Sequence, residues 1–271
     1  MNRSQPADSS RQFLSHGLLI AFLAAVCLLS GCSTSQVGFG NTAATASTSG
    51  ALLTIAPLHP HADETVTFQV GGRIAPPGSI VVIDRAEGTI AWGSVVNFPG
   101  ATASTSLRAG DYLVVAISGE GRTIVATAHL LVGDAPPATA HLTPSDRVTS
   151  ASGWSVDIRF VSGSLQAGRT AIASFSFNST NGKPLPDYSI DAPGFITYDA
   201  SGDYLSVGHR VARQSSTATS ISHVDESSAM PSEHGETVIH FDFPHKGPFT
   251  IVSNARIGGQ VVPLRFAVDV Q

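Results

Sequence analysis

The sequence predicts an all-β protein, with two antiparallel β-sandwich domains that follow an export segment and a flexible tether. The first observation is composition: 13% of the 271 residues are charged and 7% are aromatic, whereas 26 are glycine and 16 are proline. This balance favours short strands joined by many turns. The second is an apolar pattern of period two from Leu52 onward. The third is a series of turn sequences that interrupt this pattern at intervals typical of sandwiches.

The first predicted domain covers residues 52–134. In "TVTFQV", Val66, Phe68 and Val70 alternate with polar residues. Each strand is therefore expected to have one buried face and one solvent-exposed face. Four turn sequences separate the strands: "APPGS" (75–79), "RAEG" (85–88), "FPGA" (98–101) and "GEG" (119–121).

The second predicted domain covers residues 145–271, after a linker at residues 135–144 that includes part of "GDAPPATA". Trp154, Val156, Ile158 and Phe160 share one face of a strand, and the same alternation recurs in "TAIASFSF" (170–177). Neither half contains a pattern of helical period, which supports two small sandwich cores.

The two halves end alike. Gly110 and Gly121 are separated by the same eleven positions as Gly247 and Gly258, and each pair encloses an aromatic residue and a strand. A final strand follows each glycine turn. This pattern resembles the last hairpin of an immunoglobulin-like sandwich. The alternative is that any two β-hairpins share such spacing.

The N-terminus predicts export and lipid anchoring. Arg3 and Arg11 precede a thirteen-residue apolar run (17–29), which is shorter than the roughly 20 residues of a membrane-spanning helix. "LSGC" (29–32) resembles the lipobox of bacterial lipoproteins, which implies cleavage after residue 31 and acylation of Cys32. The alternative is an ordinary signal peptide with an unrelated cysteine. Residues 32–51 are small and polar, as in a flexible tether.

The resemblance also predicts the location. Several acyl chains hold a protein on a membrane without a spanning segment, since each buried methylene contributes about 0.8 kcal/mol. Ser33 and Thr34 follow Cys32, and the absence of Asp there resembles the signal for the outer membrane of Gram-negative cells. We therefore expect a cell-envelope protein, at the periplasmic face of the outer membrane if the cell has one.

Composition and motifs exclude several functions. The net charge of -5 leaves no large basic surface, so nucleic acid is not an expected partner. Both cysteines lie within the first 32 residues, which excludes a disulfide within the domains. The sequence has no G-x-S-x-G elbow, no H-E-x-x-H motif and no phosphate-binding glycine loop, so we expect a protein that is not an enzyme.

The second half resembles the YtkA-like and related immunoglobulin- or cupredoxin-shaped domains of exported bacterial proteins. The matching segments are "LQAGRTAIASFSF" (165–177), "NGKPLPD" (181–187), "APG" (192–194), "FPHKGPF" (243–249) and "GGQVVPLRFAVDV" (258–270). The resemblance implies a role in handling copper or another metal. Phe195 stands where members of this group often carry a His, which removes one implied ligand.

The candidate metal ligands are His209, Met230, His234 and His240. Imidazole nitrogen and thioether sulfur suit copper, and neutral His also suits zinc. We expect His240 and Asp242 to point outward on one strand and His209 to share a face with Leu205 and Val207. The alternative is that these are surface or core histidines without a metal.

A long polar segment (213–236) contains Met230 and His234 and is expected to form a loop. The sequence thus supports two functions for a lipid-anchored envelope protein. The first is non-catalytic binding or scaffolding of an envelope partner through the sandwiches. The alternative is copper binding or delivery by the second domain.

Overall fold

A computed structural model describes residues 43–46, 51–72, 78–97, 100–119, 123–138, 145–149, 153–161, 163–185, 187–210 and 236–271. All of these belong to one compact unit, Gln36–Gln271. The regular secondary structure of the described residues is strand throughout, which confirms the predicted all-β class. No described helix is long and apolar enough to cross a membrane.

Among the described residues, eight strands precede residue 134 and ten follow it. The first eight are β1 (Ala43–Ala46), β2 (Leu52–Ala56), β3 (Thr65–Gly71), β4 (Gly78–Asp84), β5 (Thr89–Val96), β6 (Thr102–Ser106), β7 (Gly110–Ser118) and β8 (Ile124–Val132). The others are β9 (Arg147–Thr149), β10 (Trp154–Phe160), β11 (Arg169–Ser179), β12 (Tyr188–Ile190), β13 (Ile196–Asp199), β14 (Leu205–Val207), β15 (His209–Arg210), β16 (Glu236–Phe243), β17 (Gly247–Ile257) and β18 (Gln260–Val270).

The strands form four antiparallel sheets. Sheet A has the order β1-β2-β3-β6, and sheet B has the order β5-β4-β7-β8. Sheet C has the order β12-β17-β13-β14, with β18 also paired to β17. Sheet D has the order β15-β16-β11-β10-β9.

Three buried apolar clusters fix the order of these sheets. The first cluster draws its residues from sheets A and B, and includes Phe68 and Val114. The second cluster draws mainly on sheets C and D and is rich in phenylalanine, with Phe175 stacked on Phe195 at a centroid distance of 4.0 Å. A third cluster lies between sheets B and C. The sheets therefore lie as layers in the order A, B, C, D, and the two sandwiches meet through sheets B and C.

The two middle sheets correct one expectation from the sequence. The predicted solvent-exposed face is absent in β4, where all seven residues are buried, and in β13, where all four residues are buried. Both faces of sheets B and C are covered, one by the sandwich core and one by the other sandwich. A strand that is buried on both faces has a continuous apolar sequence, as in "IVVI" at residues 80–83.

The paired hairpins at the ends of the two halves are present. Strands β7 and β8 pair along their length, and so do β17 and β18. At the start of β7, the Tyr112 hydroxyl donates to the carbonyl oxygen of Arg108 at 3.0 Å. This contact to the backbone four residues upstream is the tyrosine corner of immunoglobulin-like sandwiches. Gly110 is needed beside it, because a Cβ there would lie 2.9 Å from the Tyr112 ring.

Strand β5 forms one edge of sheet B and carries a β-bulge. Val82 of β4 lies opposite Trp92, and the next residue, Ile83, lies opposite Ile90, so Ala91 is the extra residue of the bulge. The bulge exchanges the two faces of the strand. Ile90 consequently packs against the cluster between the sandwiches, whereas Trp92 packs against the core of the first one.

Gly208 allows the chain to pass from sheet C to sheet D. Strand β14 pairs with β13 in sheet C, and β15 pairs with β16 in sheet D, with Gly208 as the single residue between them. A Cβ at Gly208 would lie 2.5 Å from Cε1 of Phe241 and 2.6 Å from Cγ2 of Ile239. No larger residue fits without displacement of this core, because real Cβ atoms do not approach so closely.

Candidate functional site

A buried ion pair lies where the two sandwiches meet. Arg85, just after β4, donates from Nη1 to Oδ2 of Asp111 in β7 at 2.9 Å, and both side chains are nearly inaccessible to solvent. The same guanidinium donates from Nη2 to the carbonyl oxygens of Ala200 and Ser201 at 3.2 and 3.0 Å. These carbonyls belong to the turn after β13. Arg85 therefore joins the first sandwich to the second through a fork of donors that lysine lacks.

His129 in β8 extends this contact. Its Nδ1 lies 3.4 Å from Nη1 of Arg85, and because arginine only donates, Nδ1 must accept and the imidazole must be neutral. Burial and the neighbouring Arg85 cation lower the pKa of His129, against smaller opposing effects of Asp111 and Asp203. Gly202 of the second sandwich passes close by, since a Cβ there would lie 3.3 Å from Cε1 of His129.

The outer face of sheet D carries most of the candidate ligands. In β16, Thr237, Ile239, Phe241 and Phe243 are buried, and the residues between them are at least partly exposed. His240 and Asp242 thus lie on the outer face, as the alternation predicts. The Asp242 carboxylate accepts a hydrogen bond from the Thr170 hydroxyl of β11 at 2.7 Å.

His209 and His240 form a cross-strand pair on this face. They are directly opposite in the pairing of β15 with β16, and their ring centroids are 5.1 Å apart. With metal–nitrogen bonds of about 2.0–2.1 Å, two imidazoles bound to one ion at a tetrahedral angle have centroids about 5 Å apart. This spacing is compatible with two ligands of one metal ion and equally with an ordinary contact between two rings.

The position of His209 corrects the predicted face. Val207 lies in the buried cluster between the sandwiches, and Leu205 packs against that cluster. His209 lies instead on sheet D, because the chain changes sheets at Gly208 and the alternation of β14 does not continue into β15.

The other predicted site residues are not among those that the structure describes. Cys32, Met230 and His234 lie outside the described residues, and so does most of the polar segment 213–236. Within the described part of the chain, no group of three or more His, Cys, Asp or Glu residues could hold a metal ion. The structure thus brings together two of the four candidate ligands, His209 and His240.

One group of Asp, Ser and His residues lies at the turn after β13. His245 Nε2 lies 3.2 Å from Oδ2 of Asp199, and the Ser201 hydroxyl donates to the same carboxylate at 2.9 and 3.0 Å. A nucleophilic serine must hydrogen-bond to the histidine that removes its proton. Here the carboxylate lies between them and also accepts from the Gly202 amide at 2.8 Å, which is turn chemistry.

A polar groove lies at the opposite edge of sheet D from the histidine pair. Its volume is about 450 Å³, and its wall contains Trp154, Ser155, Asp157 and Asn178 of β10 and β11. The other residues that line it are Arg147, Thr149, Gly153, Ser179, Thr180 and Gly182.

The sequence did not point to Arg85 or to the groove. Arg85 reads as part of an ordinary turn, and its partners lie 26 and more than 100 residues away, so its burial depends on how the sandwiches dock. One signal was present: uninterrupted apolar runs, such as 113–117, indicate strands with two buried faces and therefore an interface.

Comparison with known proteins shows no family. No protein-family model matches the sequence, and no curated protein matches it. A β-glycosidase from Bacteroides vulgatus is similar in structure at a TM-score of 0.23 and 14% identity, over 80% of this chain and 24% of that one. A mutant of Salmonella alpha-2-macroglobulin is similar at a TM-score of 0.25 and 10% identity, over 87% of this chain and 15% of that one.

A DUF3823 family protein from Bacteroides ovatus is similar at a TM-score of 0.21 and 11% identity, over 74% of this chain and 92% of that one. The chain spans a quarter or less of the first two proteins. We draw no functional conclusion from neighbours at these scores, and the β-sandwich architecture rests on the sheets described above.

Proposed function

We propose that this chain is a bacterial cell-envelope lipoprotein, anchored through Cys32, whose two sandwiches act together as a non-catalytic binding or scaffolding module. The lipobox-like "LSGC" and the polar tether support the anchor. The interface supports the joint action of the sandwiches, because it combines an apolar cluster with the Arg85 ion pair. Residues 43–46 of the predicted tether belong to sheet A as β1, so the tether that holds the pair of sandwiches away from the lipid would be the shorter segment between Cys32 and β1.

The observation that carries the binding role is the exposed edge strand β5. It pairs with β4 alone among the described strands, and its eight residues, "TIAWGSVV", contain no charge. Val95 is 61% exposed, and Gly93 beside it is also exposed. Edge strands usually carry Lys, Pro or a β-bulge as protection against pairing, and β5 has the bulge at Ala91 but neither Lys nor Pro. An uncharged edge suits the addition of an extended segment of a partner protein as a further strand.

Site-specific photocrosslinking in the native cell tests this role. A photoreactive residue replaces Val95 in one full-length variant and Arg159 in another. Arg159 is exposed in β10, a central strand of sheet D, and is the matched control. We expect a discrete crosslinked partner at position 95 and none at 159. Equal crosslinking at both positions, or none at 95, contradicts binding at this edge.

Metal binding is the second candidate function, and the cross-strand pair of His209 and His240 favours it. The two imidazoles fit copper or zinc by ligand type and by spacing. Strands hold both residues, which fixes the distance between their backbones. A stable site needs further ligands, for which Met230 and His234 remain the sequence-based candidates.

Calorimetric titration of the full chain in detergent with Cu(II) and Zn(II) tests the metal site. We expect one ion per chain with a Kd below about 1 μM, equivalent to about -8 kcal/mol. His240→Gln should weaken binding at least tenfold. His59→Gln is the control, since His59 is exposed in the first sandwich and far along the chain from the pair. Binding that His59→Gln abolishes and His240→Gln leaves intact contradicts the assignment.

A further inference from the structure

The edge of sheet B at β5 lies over the edge of sheet C at β18. Strand β5 contacts both β18 and β17, and β8 at the other side of sheet B contacts β14, so the two sheets are stacked strand over strand. Sheets packed face to face are about 10 Å apart. In the first half of β18, the described strands pair with it only through β17, whereas the second half is covered at Ala267 by the Ser145 amide.

Contacts at one end of the interface show how the two edges are aligned. Arg265 of β18 donates to the carbonyl oxygen of Glu87, just before β5, at 2.7 Å. Arg85, just after β4, contacts the turn after β13, which lies beside the last residues of β18. The start of β5 therefore lies over the second half of β18. The end of β5, at Val95, lies over the start of β18, at Val261.

Gly93 and Val95 lie on the face of β5 that is turned toward the second sandwich. Beyond the bulge, residues 92–96 pair with β4 in regular register. Trp92 and Val96 belong to the first sandwich core, so the residues that alternate with them face sheet C. Gly93 accordingly pairs with Val81, which lies in the cluster between the sandwiches.

Val261 and Pro263 lie on the face of β18 that is turned toward the first sandwich. Leu264 and Phe266 are buried in the second core, and the residues that alternate with them face sheet B. Val261 is 50% exposed, and Pro263 is also exposed. The interface thus ends at its open side in an uncharged strip to which both sandwiches contribute. This shared strip consists of Gly93, Val95, Val261 and Pro263.

Gly93 is a glycine that the fold itself does not require. Its φ is not positive, and a Cβ there would meet the Ile80 carbonyl oxygen at 3.8 Å and Cγ2 of Val81 at 4.0 Å, which are ordinary contacts. Glycine within a strand weakens it and often marks a place where another backbone or a ligand approaches closely. Gly93 leaves room at the edge for a large side chain on a neighbouring strand.

We infer that the shared strip receives one extended segment of a partner protein, which adds to β5 and carries apolar side chains at alternate positions, with a large one opposite Gly93. This inference rests on the binding role proposed above for β5 and extends the site to the second sandwich. An added strand turns every second side chain toward sheet C. These side chains continue the apolar cluster between the sandwiches, where an unpaired charge would lose its hydration.

Photocrosslinking in the native cell tests the contribution of the second sandwich. Full-length protein carries a photoreactive residue at position 95, and a second variant adds Val261→Asp. We expect Val261→Asp to lower the yield of the crosslinked partner at least fivefold, because it places a charge against the apolar side chains of the added strand. Val161→Asp is the matched control, since Val161 is 67% exposed and follows β10 in sheet D. It should leave the yield unchanged.

A second variant tests the room beside Gly93. Gly93→Val fills this space and should lower the same yield at least threefold. Gly71→Val is the matched control, because nothing lies within 4 Å of a Cβ at Gly71 in β3. Mass spectrometry of the crosslinked peptide should identify a segment with apolar residues at alternate positions.

The outcomes separate this inference from the binding role on which it rests. No crosslink at position 95 refutes both. A crosslink at position 95 whose yield Val261→Asp leaves unchanged overturns the shared strip and leaves binding at β5 intact. Charged residues at the alternate positions of the crosslinked segment also overturn the inference, and so does a crosslinked product that is a second copy of this chain.

Discussion

Arg85 of the first sandwich donates to the main-chain carbonyl of Ser201 in the second at 3.0 Å, across 116 positions of the sequence. The guanidinium is held in place by its buried ion pair with Asp111. A second contact lies nearby, where Nη1 of Arg265 in β18 donates to the carbonyl of Glu87 at 2.7 Å. Each sandwich thus supplies one arginine that donates to a backbone carbonyl oxygen in a turn of the other sandwich.

Replacement of Arg85 is expected to destabilise the protein strongly. Arg85→Ala leaves the Asp111 carboxylate buried with one hydrogen bond, from the Ala138 amide at 2.8 Å. Loss of one partner of a buried pair costs about 3–5 kcal/mol. We expect Arg85→Ala to lower the free energy of unfolding by about 3 kcal/mol in urea denaturation.

The matched control for this prediction is Arg159→Ala on the exposed face of β10. We expect that variant to stay within about 0.5 kcal/mol of the wild type. Arg85→Lys should give an intermediate loss, because it keeps the charge but cannot reach three acceptors with a rigid fork. Equal stability of Arg85→Ala and Arg159→Ala would show that Arg85 does not join the sandwiches.

Stability is also expected to depend on the protonation of His129. Its pKa is lowered in the folded state from the ordinary value of 6.5, so the unfolded chain binds the proton first as pH falls. The stabilisation of the folded state by the neutral His129 ring is fully present above pH 6.5. It is lost as the pH decreases toward the pKa that His129 has in the folded state. The His129 side chain is exposed to solvent, so the loss is small.

Urea midpoints between pH 5 and pH 8 measure this effect. His129→Gln should flatten the decline of the midpoint below pH 6.5, because the neutral amide takes up no proton. His61→Gln is the control, since His61 is exposed in the first sandwich. A decline of equal slope in the wild type and in His129→Gln would assign the pH dependence to other groups.

Gly208 is expected to tolerate no side chain. Gly208→Ala places a Cβ against Phe241 and Ile239 in the core, and overpacking of this kind costs about 1–3 kcal/mol. Gly71→Ala is the matched control, because nothing lies within 4 Å of a Cβ at that position. Thermal unfolding should show a lower Tm for Gly208→Ala alone. A Tm equal to that of Gly71→Ala would contradict the close approach at the sheet crossing.

Cys32 is predicted to anchor the protein. Cys32→Ser removes the acceptor for the acyl chains, and a chain without them has little affinity for lipid. We expect fractionation of cells to move the variant from the membrane to the soluble envelope fraction. Ser30→Ala is the control, since it keeps a small residue before the cysteine. Unchanged fractionation of Cys32→Ser would refute lipidation.

The sequence predicted those parts of the fold that depend on local pattern. Alternation identified the buried face of β16, and glycine spacing identified the two final hairpins. It assigned His209 to the wrong face, because a period of two holds only within one strand and the chain changes sheets at Gly208.

The docking of the sandwiches depends on contacts between distant segments. Val81 of β4 and Val252 of β17 meet in the same cluster although they are far apart in the chain. The continuous apolar runs indicated that some face was covered, without indicating by what. The polar groove was missed for a related reason, since Thr149, Ser155 and Asn178 are aligned only by the register of three strands.

Unfolding monitored separately in each sandwich tests most directly whether the two sandwiches act as one module. Trp92 lies in the first sandwich and Trp154 in the second, so Trp154→Phe and Trp92→Phe each leave one reporter. With the interface intact, both reporters should give the same urea midpoint, as in a single cooperative transition. Two separate midpoints, each matching the stability of one sandwich alone, would contradict a module of two rigidly docked domains.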